Sequence, residues 1–452
     1  MKNISFTAVF AAFVLAGAAC AQTSTVDPTV RFNTTEGVID VILTPEAAPN
    51  TVANFLNYVK AGAYVNTMIH RSVPNFVIQG GGYQLQNGSP VTTPTNAPIN
   101  NEVNVTNQRG TLAMAMTSSP NSATDQWFFN LINNGPTLDP ASNSGGFTVF
   151  GRVANATGLA VMDKIAALPT ADLTSVYASL PFSQVPLQNY AHGAAVTTDN
   201  FVLVTSIVQL PFVKPTGITD AASFASSLTS GIAPGELLTV FGAAIGPATL
   251  TTLALDATGV TQTSLGGTRV LFNGFPAPLI YTSSGQLSVV APQSIAGLKT
   301  VQVVVEYQNV QTAGMQFPVA TANPALFTLN ASGSGDAAII QQNGSIVSTA
   351  SPAKPGDVLT LYGEGYGTAT PATAAADGAI VGSTLPVPTN PVTLLLDGQP
   401  VSTLYAGGAP ALINGVLQVN FTVPPGTLPG SHRIQIQVAG QTSPAGVNLQ
   451  TK

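Results

Sequence analysis

The first regular feature of the chain is an alternation of apolar and polar positions. Val30-Arg31-Phe32-Asn33-Thr34 and Val38-Ile39-Asp40-Val41-Ile42-Leu43 flank Thr35-Glu36-Gly37. A period of two on either side of a glycine turn predicts a β-hairpin. The period then changes. Val52, Phe55, Leu56 and Val59 share one helical face, Asn50 or Thr51 stands where a cap is needed, and Lys60 and Gly62 mark the end. Short strands are expected at 68–79, 111–116, 126–131, 147–153 and 201–208, with a second short helix at 158–165. Gly80-Gly81-Gly82 reads as a turn, because no strand–helix context or Lys-Ser/Thr follows that would suit a phosphate. Short strands, two helices and no βαβ rhythm predict a closed antiparallel β-barrel capped by two helices over residues 28–210.

Beyond a linker expected at 211–217 the helical pattern disappears, and Pro, Gly, Thr and Val dominate. The remaining chain repeats itself. Pro234-Gly235-Glu236-Leu237-Leu238-Thr239-Val240-Phe241-Gly242 matches Pro355-Gly356-Asp357-Val358-Leu359-Thr360-Leu361-Tyr362-Gly363. Gln286-Leu287-Ser288-Val289-Val290-Ala291-Pro292 likewise matches Gln418-Val419-Asn420-Phe421-Thr422-Val423-Pro424. Each unit is about 110 residues of short strands with frequent turn signals, the rhythm of an immunoglobulin-like β-sandwich. The boundaries expected are 218–330 and 331–452. The fold class is therefore mainly β throughout.

Composition narrows the setting. The chain has 452 residues, and only 7% are charged, against about 25% in an ordinary soluble protein. Net charge is −6 and no basic block occurs, so a nucleic-acid partner is not expected. Residues 1–21 read as a secretory signal peptide: Lys2 is the positive end, Phe6 to Ala18 the apolar stretch, and Ala19-Cys20-Ala21 the cleavage site before Gln22. The apolar stretch is too short to span a bilayer, and no later run is long enough. Gly17 stands where a lipoprotein signal would want a Leu-like residue three before Cys20. The expectation is an exported protein, periplasmic or extracellular, whose mature chain lacks cysteine and with it disulfides and thiolate chemistry.

The candidate chemistry is concentrated in one stretch. Arg71 sits inside an otherwise apolar strand pattern, followed by Phe76, Val77 and Gln79. His70-Arg71-Ser72-Val73-Pro74-Asn75-Phe76-Val77-Ile78-Gln79-Gly80-Gly81, Arg109-Gly110-Thr111-Leu112-Ala113-Met114-Ala115, Ser122-Ala123-Thr124-Asp125-Gln126-Trp127-Phe128 and Val149-Phe150-Gly151 follow one another in the order and spacing of the cyclophilin family, which residues 30–210 resemble, most closely its exported bacterial members. The resemblance implies a peptidyl-prolyl cis–trans isomerase acting on proline-containing polypeptides, without cofactor or metal. It makes Arg71 the catalytic arginine, with Gln79 to position it. Phe76, Val77, Phe128, Leu138 and Phe150 would form the proline pocket. Ala115, Met116 and Gln126 would hold the peptide beside it. Three positions depart from the family pattern. Trp127 stands where Phe is usual and would reshape the pocket floor. Thr137 and Phe147 stand where many eukaryotic members have Trp and His.

Plainer readings apply to the same residues. Arg71 alone would suit a structural arginine paired with a carboxylate, and Phe76, Phe128 and Phe150 would suit barrel core. His70 fits strand packing better than a base, and His192 and His432 stand isolated. Asp139 and Asp163 suit a turn and a helix surface. Two other functions compete: non-catalytic binding of proline peptides, motivated by Trp127, and adhesion to an envelope or surface partner through 218–452. By its Ala221-Ala222-Ser223-Phe224 start, its Pro-Gly-Glu and Pro-Gly-Asp turns and Tyr281 before Gly285-Gln286-Leu287, that region resembles the two-lobed, uncharacterised C-terminal domain common on exported acidobacterial proteins, which implies no activity. Its Glu236, Asp357 and Glu364 read as lone acids in turns, too sparse for a Ca²⁺ site.

Overall fold

The computed structural model describes residues 27–452 except Ser179 and His192, so the expected leader, Cys20 and His192 lie outside the described residues. The chain divides into two units after Leu210. In the first, the expected hairpin forms from β1 (Thr29–Thr34) and β2 (Gly37–Leu43), in register from Thr29↔Ile42 to Thr34↔Gly37. Arg31 and Asp40 face each other across it, 2.8 Å apart. Helix α1 (Pro49–Lys60) buries Val52, Phe55 and Val59. Its start is not capped by Asn50 or Thr51. Both donate instead to Glu102, whose Oε1 accepts from the Asn50 backbone and whose Oε2 accepts from the Thr51 N–H and hydroxyl. An anion at a helix N-terminus suits the free N–H groups and the helix dipole there.

The strands that follow are β3 (Thr67–Val73), β4 (Val77–Gln86), β5 (Ser89–Thr92), β6 (Thr111–Met114) and β7 (Trp127–Asn130). The one-turn helix α2 (Gly135–Leu138), β8 (Val149–Val153), helix α3 (Ala156–Ala166), the short β9 (Thr170–Ala171) and β10 (Val185–Pro186), and β11 (Leu203–Gln209) complete the unit. The order β3-β11-β1-β2-β8-β6-β7-β4 closes through the β3–β4 pairing into an eight-stranded barrel, with β5 appended to β4. Phe32, Phe55, Phe129, Phe150 and Trp127 fill the core.

The three glycines are not a turn. Gly80, Gly81 and Gly82 all lie within β4. A Cβ on Gly80 would stand 2.8 Å from the Trp127 ring, and one on Gly81 2.7 Å from the Asp125 carbonyl. Gly81 also has φ +97, which favours glycine. The missing side chains make room for the indole.

Residues 211–452 carry two β-sandwiches. In the first, Leu237–Ala243 pairs with Gln286–Val290, and in the second Val358–Glu364 pairs with Leu417–Thr422. These are the segments the sequence repeat picks out. Each sandwich has its own apolar core, around Val240, Leu287 and Val303 and around Leu361, Val419 and Ile436. Strand Ala325–Leu326 pairs with Val358–Glu364 and so joins the second sandwich, ahead of the boundary expected at 330. The 211–217 segment is not a linker: it opens strand Phe212–Asp220, which pairs with Leu237–Ala243 across an irregularity between Val213 and Ile218. Pro215, which has no N–H to give a ladder, falls in that gap.

The acids of this unit are not lone acids in turns. Glu236 and Glu364 are fully buried and Asp220 is 1% exposed. Glu236 accepts from the Ala233 N–H and the Asn323 amide, and Glu364 accepts from the Leu237 N–H. Asp357 alone matches the turn expectation, closing back on the Lys354 N–H. His432 is not isolated either: its Nδ1 lies 2.6 Å from the Asp397 carboxylate, and that hydrogen bond raises its pKa. Among the described residues no helix is long and apolar enough to cross a membrane.

Candidate active site

Strand β3 places Arg71 opposite Gln79 on β4, after a slip in pairing between Ile69 and Arg71. The neighbours His70 and Ser72 are buried on the other face, while Arg71 is half-buried. Its Nη1 donates to Gln79 Oε1 at 3.4 Å, and Gln79 Nε2 donates in turn to Gln126 Oε1 at 3.0 Å. The guanidinium carbon lies 6.0 Å from the Phe76 ring centroid. Burial lowers the pKa of Arg71, yet a guanidinium remains charged at neutral pH. Among the described residues no carboxylate reaches Arg71 within ion-pair distance. The reading of Arg71 as a structural arginine needs such a partner.

Arg71 lines a pocket of about 170 Å³ together with Phe76, Val77, Gln79, Ala115, Met116, Phe128, Leu138 and Phe147. Val77, Phe128 and Leu138 are buried, and Phe128 meets Phe147 edge to face, with centroids 5.9 Å apart. The walls are apolar. The polar side chains are those of Arg71 and Gln79. Gln126 is outside the lining, two hydrogen bonds from Arg71 by way of Gln79.

Two residues expected in the pocket are not in it. Trp127 and Phe150 are fully buried in the barrel core. Strand alternation is the reason: Trp127 and Phe129 point to one face of β7 and Phe128 to the other. Trp127 packs against Phe32 and Phe129 at 5.0 and 5.5 Å. It does not form the pocket floor, so the motive for a reshaped, non-catalytic pocket falls. Phe150 lies 5.1 Å from Phe55.

His70 is packed against Tyr83 at 4.8 Å and Phe182 at 6.3 Å, and burial pushes its pKa down to about 3. It is neutral at every pH at which the fold is expected to work. A pH–rate profile should therefore show no inflection near the ordinary histidine pKa of about 6.5. A limb there that disappears in His70→Phe would contradict this placement.

Comparisons with known proteins bear on the same residues. Residues 29–190 match the family described as cyclophilin type peptidyl-prolyl cis-trans isomerase/CLD. A peptidyl-prolyl cis-trans isomerase of Acinetobacter baylyi is 41% identical over 161 residues, which are 35% of this chain and 82% of that protein. This chain belongs to the cyclophilin-type peptidyl-prolyl isomerases. Peptidyl-prolyl cis-trans isomerase A of Dickeya dadantii is 35% identical over 191 residues, covering 42% of this chain and 97% of its own length. Peptidyl-prolyl cis-trans isomerase B of Escherichia coli is 41% identical over 149 residues, or 31% and 85%. The protein is a peptidyl-prolyl cis–trans isomerase, and its isomerase unit ends before the two sandwiches begin.

Sequence reasoning missed the polar residues around this pocket. Asn107, Asn130 and Asn134 are buried and hydrogen-bonded to one another. The available signal was Asn130, an amide at the end of the aromatic strand Trp127-Phe128-Phe129.

Proposed function

We propose that the isomerisation takes place in the Arg71 pocket, with Phe76, Val77, Phe128, Leu138 and Phe147 receiving the proline ring and Arg71 acting as the electrophilic donor. The single observation that carries this reading is a guanidinium in the lining of a largely apolar pocket, hydrogen-bonded to Gln79 and paired with no carboxylate among the described residues. Rotation about an X–Pro bond breaks amide resonance, at a barrier near 20 kcal/mol. In the twisted state the prolyl nitrogen regains a lone pair. A donor aimed at that nitrogen bonds to the transition state more strongly than to either planar form, which is the differential binding that accelerates a reaction. Apolar walls exclude the water that would favour the planar, more polar amide. Gln79 and Gln126 hold the guanidinium, and Ala115 and Met116 flank the peptide beside the proline. No proton is transferred, which agrees with a neutral, packed His70.

The setting we propose is the cell envelope or the exterior, with exported proteins as substrates. The charged n-region, apolar stretch and Ala19-Cys20-Ala21 site support it, as does the 7% charged content. The two sandwiches would supply attachment to an envelope or surface partner, which the length of 218–452 supports.

The test is a protease-coupled assay on an Ala-Pro peptide. The wild-type chain should accelerate the slow phase in proportion to its concentration. Phe147→Ala, which removes the edge of the Phe128 pair, should raise KM about fivefold with little change in kcat. An unchanged KM in Phe147→Ala would place the proline elsewhere.

A further inference from the structure

Resting on the reading of the Arg71 pocket as the proline site, we propose that Asn107, Asn130 and Asn134 are positioning residues that hold three of its walls. Six of the lining residues fall into two groups. Val77, Gln79 and Phe128 sit on barrel strands, where ladder hydrogen bonds fix them. Phe76, Leu138 and Phe147 do not: Phe76 is in the β3–β4 turn, Leu138 ends the one-turn helix α2, and Phe147 precedes β8. Something other than the sheet must hold them in place.

The three amides supply it. Asn134 Nδ2 donates to the Phe76 carbonyl at 2.8 Å and to Asn130 Oδ1 at 2.8 Å. Asn130 Nδ2 donates to Asn107 Oδ1 at 3.0 Å and to Thr111 Oγ1 at 2.9 Å. Asn107 Nδ2 donates to Asp139 Oδ1 at 2.9 Å and to the Phe147 carbonyl at 3.0 Å. Every amide N–H of the three side chains is thereby used. The backbone completes the line: Leu138 N–H donates to the Asn134 carbonyl, Asn134 N–H to the Asn107 carbonyl, and Phe147 N–H to the Leu138 carbonyl. Asn107, Asn130 and Asn134 are 0, 0 and 4% exposed. Buried, and with every side-chain donor paired, such a network rigidifies what it joins. It runs from the backbone of Phe76 to that of Phe147, both of which line the pocket.

Phe76, Leu138 and Phe147 would contact the ring in planar and twisted forms alike. Loosening them removes uniform binding, so KM should change rather than kcat. Asn107→Ala and the isosteric Asn107→Asp, which loses both donors and sets a charge against Asp139, should each raise KM for an Ala-Pro peptide about fivefold, with kcat within about twofold. Asn134→Ala should move KM the same way. Ile39→Val, in the barrel core, serves as a control of comparable stability loss and should leave KM in place. If Asn107→Ala does not fold, Thr111→Val, which removes the acceptor of Asn130, should raise KM about twofold. Arg71→Ala in the same assay separates the outcomes. A kcat unchanged in Arg71→Ala overturns the pocket reading itself. A kcat lowered there, with KM unmoved in the asparagine variants or raised as much by Ile39→Val, overturns the positioning role alone.

Discussion

Replacing Arg71 by alanine should lower kcat/KM on an X–Pro peptide by about 10²- to 10³-fold, mostly through kcat. That is the scale on which removal of one preorganised donor to a developing charge or lone pair is felt. The fold should tolerate the change. Arg71 is half-buried and, among the described residues, its side chain has one hydrogen bond, to Gln79 at 3.4 Å. Peptide should still bind, because Phe76, Val77, Phe128, Leu138 and Phe147 remain. Arg71→Lys should recover only part of the loss, since a point charge on a flexible stem cannot reproduce a planar fork held by a glutamine. The check is steady-state kinetics of the three proteins beside their thermal midpoints. A fall in activity matched by a fall in midpoint would make the effect structural.

The second large effect concerns the stability of residues 211–452. Burial raises the pKa of Glu236 and Glu364 well above the ordinary carboxylate range and also raises that of Asp220, and the closeness of the three acids adds to the shift at Glu236 and Glu364. Among the described residues Glu364 Oε1 has no hydrogen bond of ordinary geometry, although the Ala221 backbone lies near enough to lower the Glu364 pKa slightly against the burial. A carboxyl whose pKa is higher folded than unfolded binds its proton more tightly in the fold. Its contribution to stability is complete below the unfolded pKa and is lost as pH rises through the folded one. The thermal midpoint of this unit should therefore be highest in mild acid and fall towards neutral and alkaline pH. Each pH unit crossed within that window costs about 1.4 kcal/mol per group, or about 2–4 °C in a unit of this size. Glu364→Gln, which mimics the protonated acid, should flatten the fall and raise the midpoint at the alkaline end. Calorimetry of both proteins across pH checks it. A midpoint that rises with pH in wild type would contradict the protonated assignment.

What could be read from the sequence followed from period and turn chemistry. The β1–β2 hairpin was legible because Val30, Phe32, Ile39 and Val41 alternate around a glycine turn, and α1 because Val52, Phe55 and Val59 fall on one face. The pocket was legible in Arg71, Phe76, Val77 and Phe128 because their motifs carry a family likeness. The misplacement of Trp127 had its remedy in the same strand: neighbours on a strand cannot share a face, so a pocket holding Phe128 excludes Trp127. The glycines of β4 look like a turn in one dimension and become spacers only when Trp127 of β7 and Gln126 just before it pack against them. The asparagine line and the buried acids join residues far apart in sequence: Asn107 reaches Asp139, and Glu364 reaches the Leu237 N–H. No local pattern announces such pairings. The α1 cap is of the same kind, because Glu102 comes from a loop that follows three more strands.

The most direct measurement is NMR exchange between the cis and trans signals of an Ala-Pro peptide at saturating concentration, with catalytic amounts of wild type or Arg71→Ala. The expected result is fast exchange with wild type and near-uncatalysed exchange with Arg71→Ala, while peptide still perturbs the Phe128 and Phe147 ring signals of the variant. Equal exchange with both proteins would show that isomerisation does not depend on Arg71.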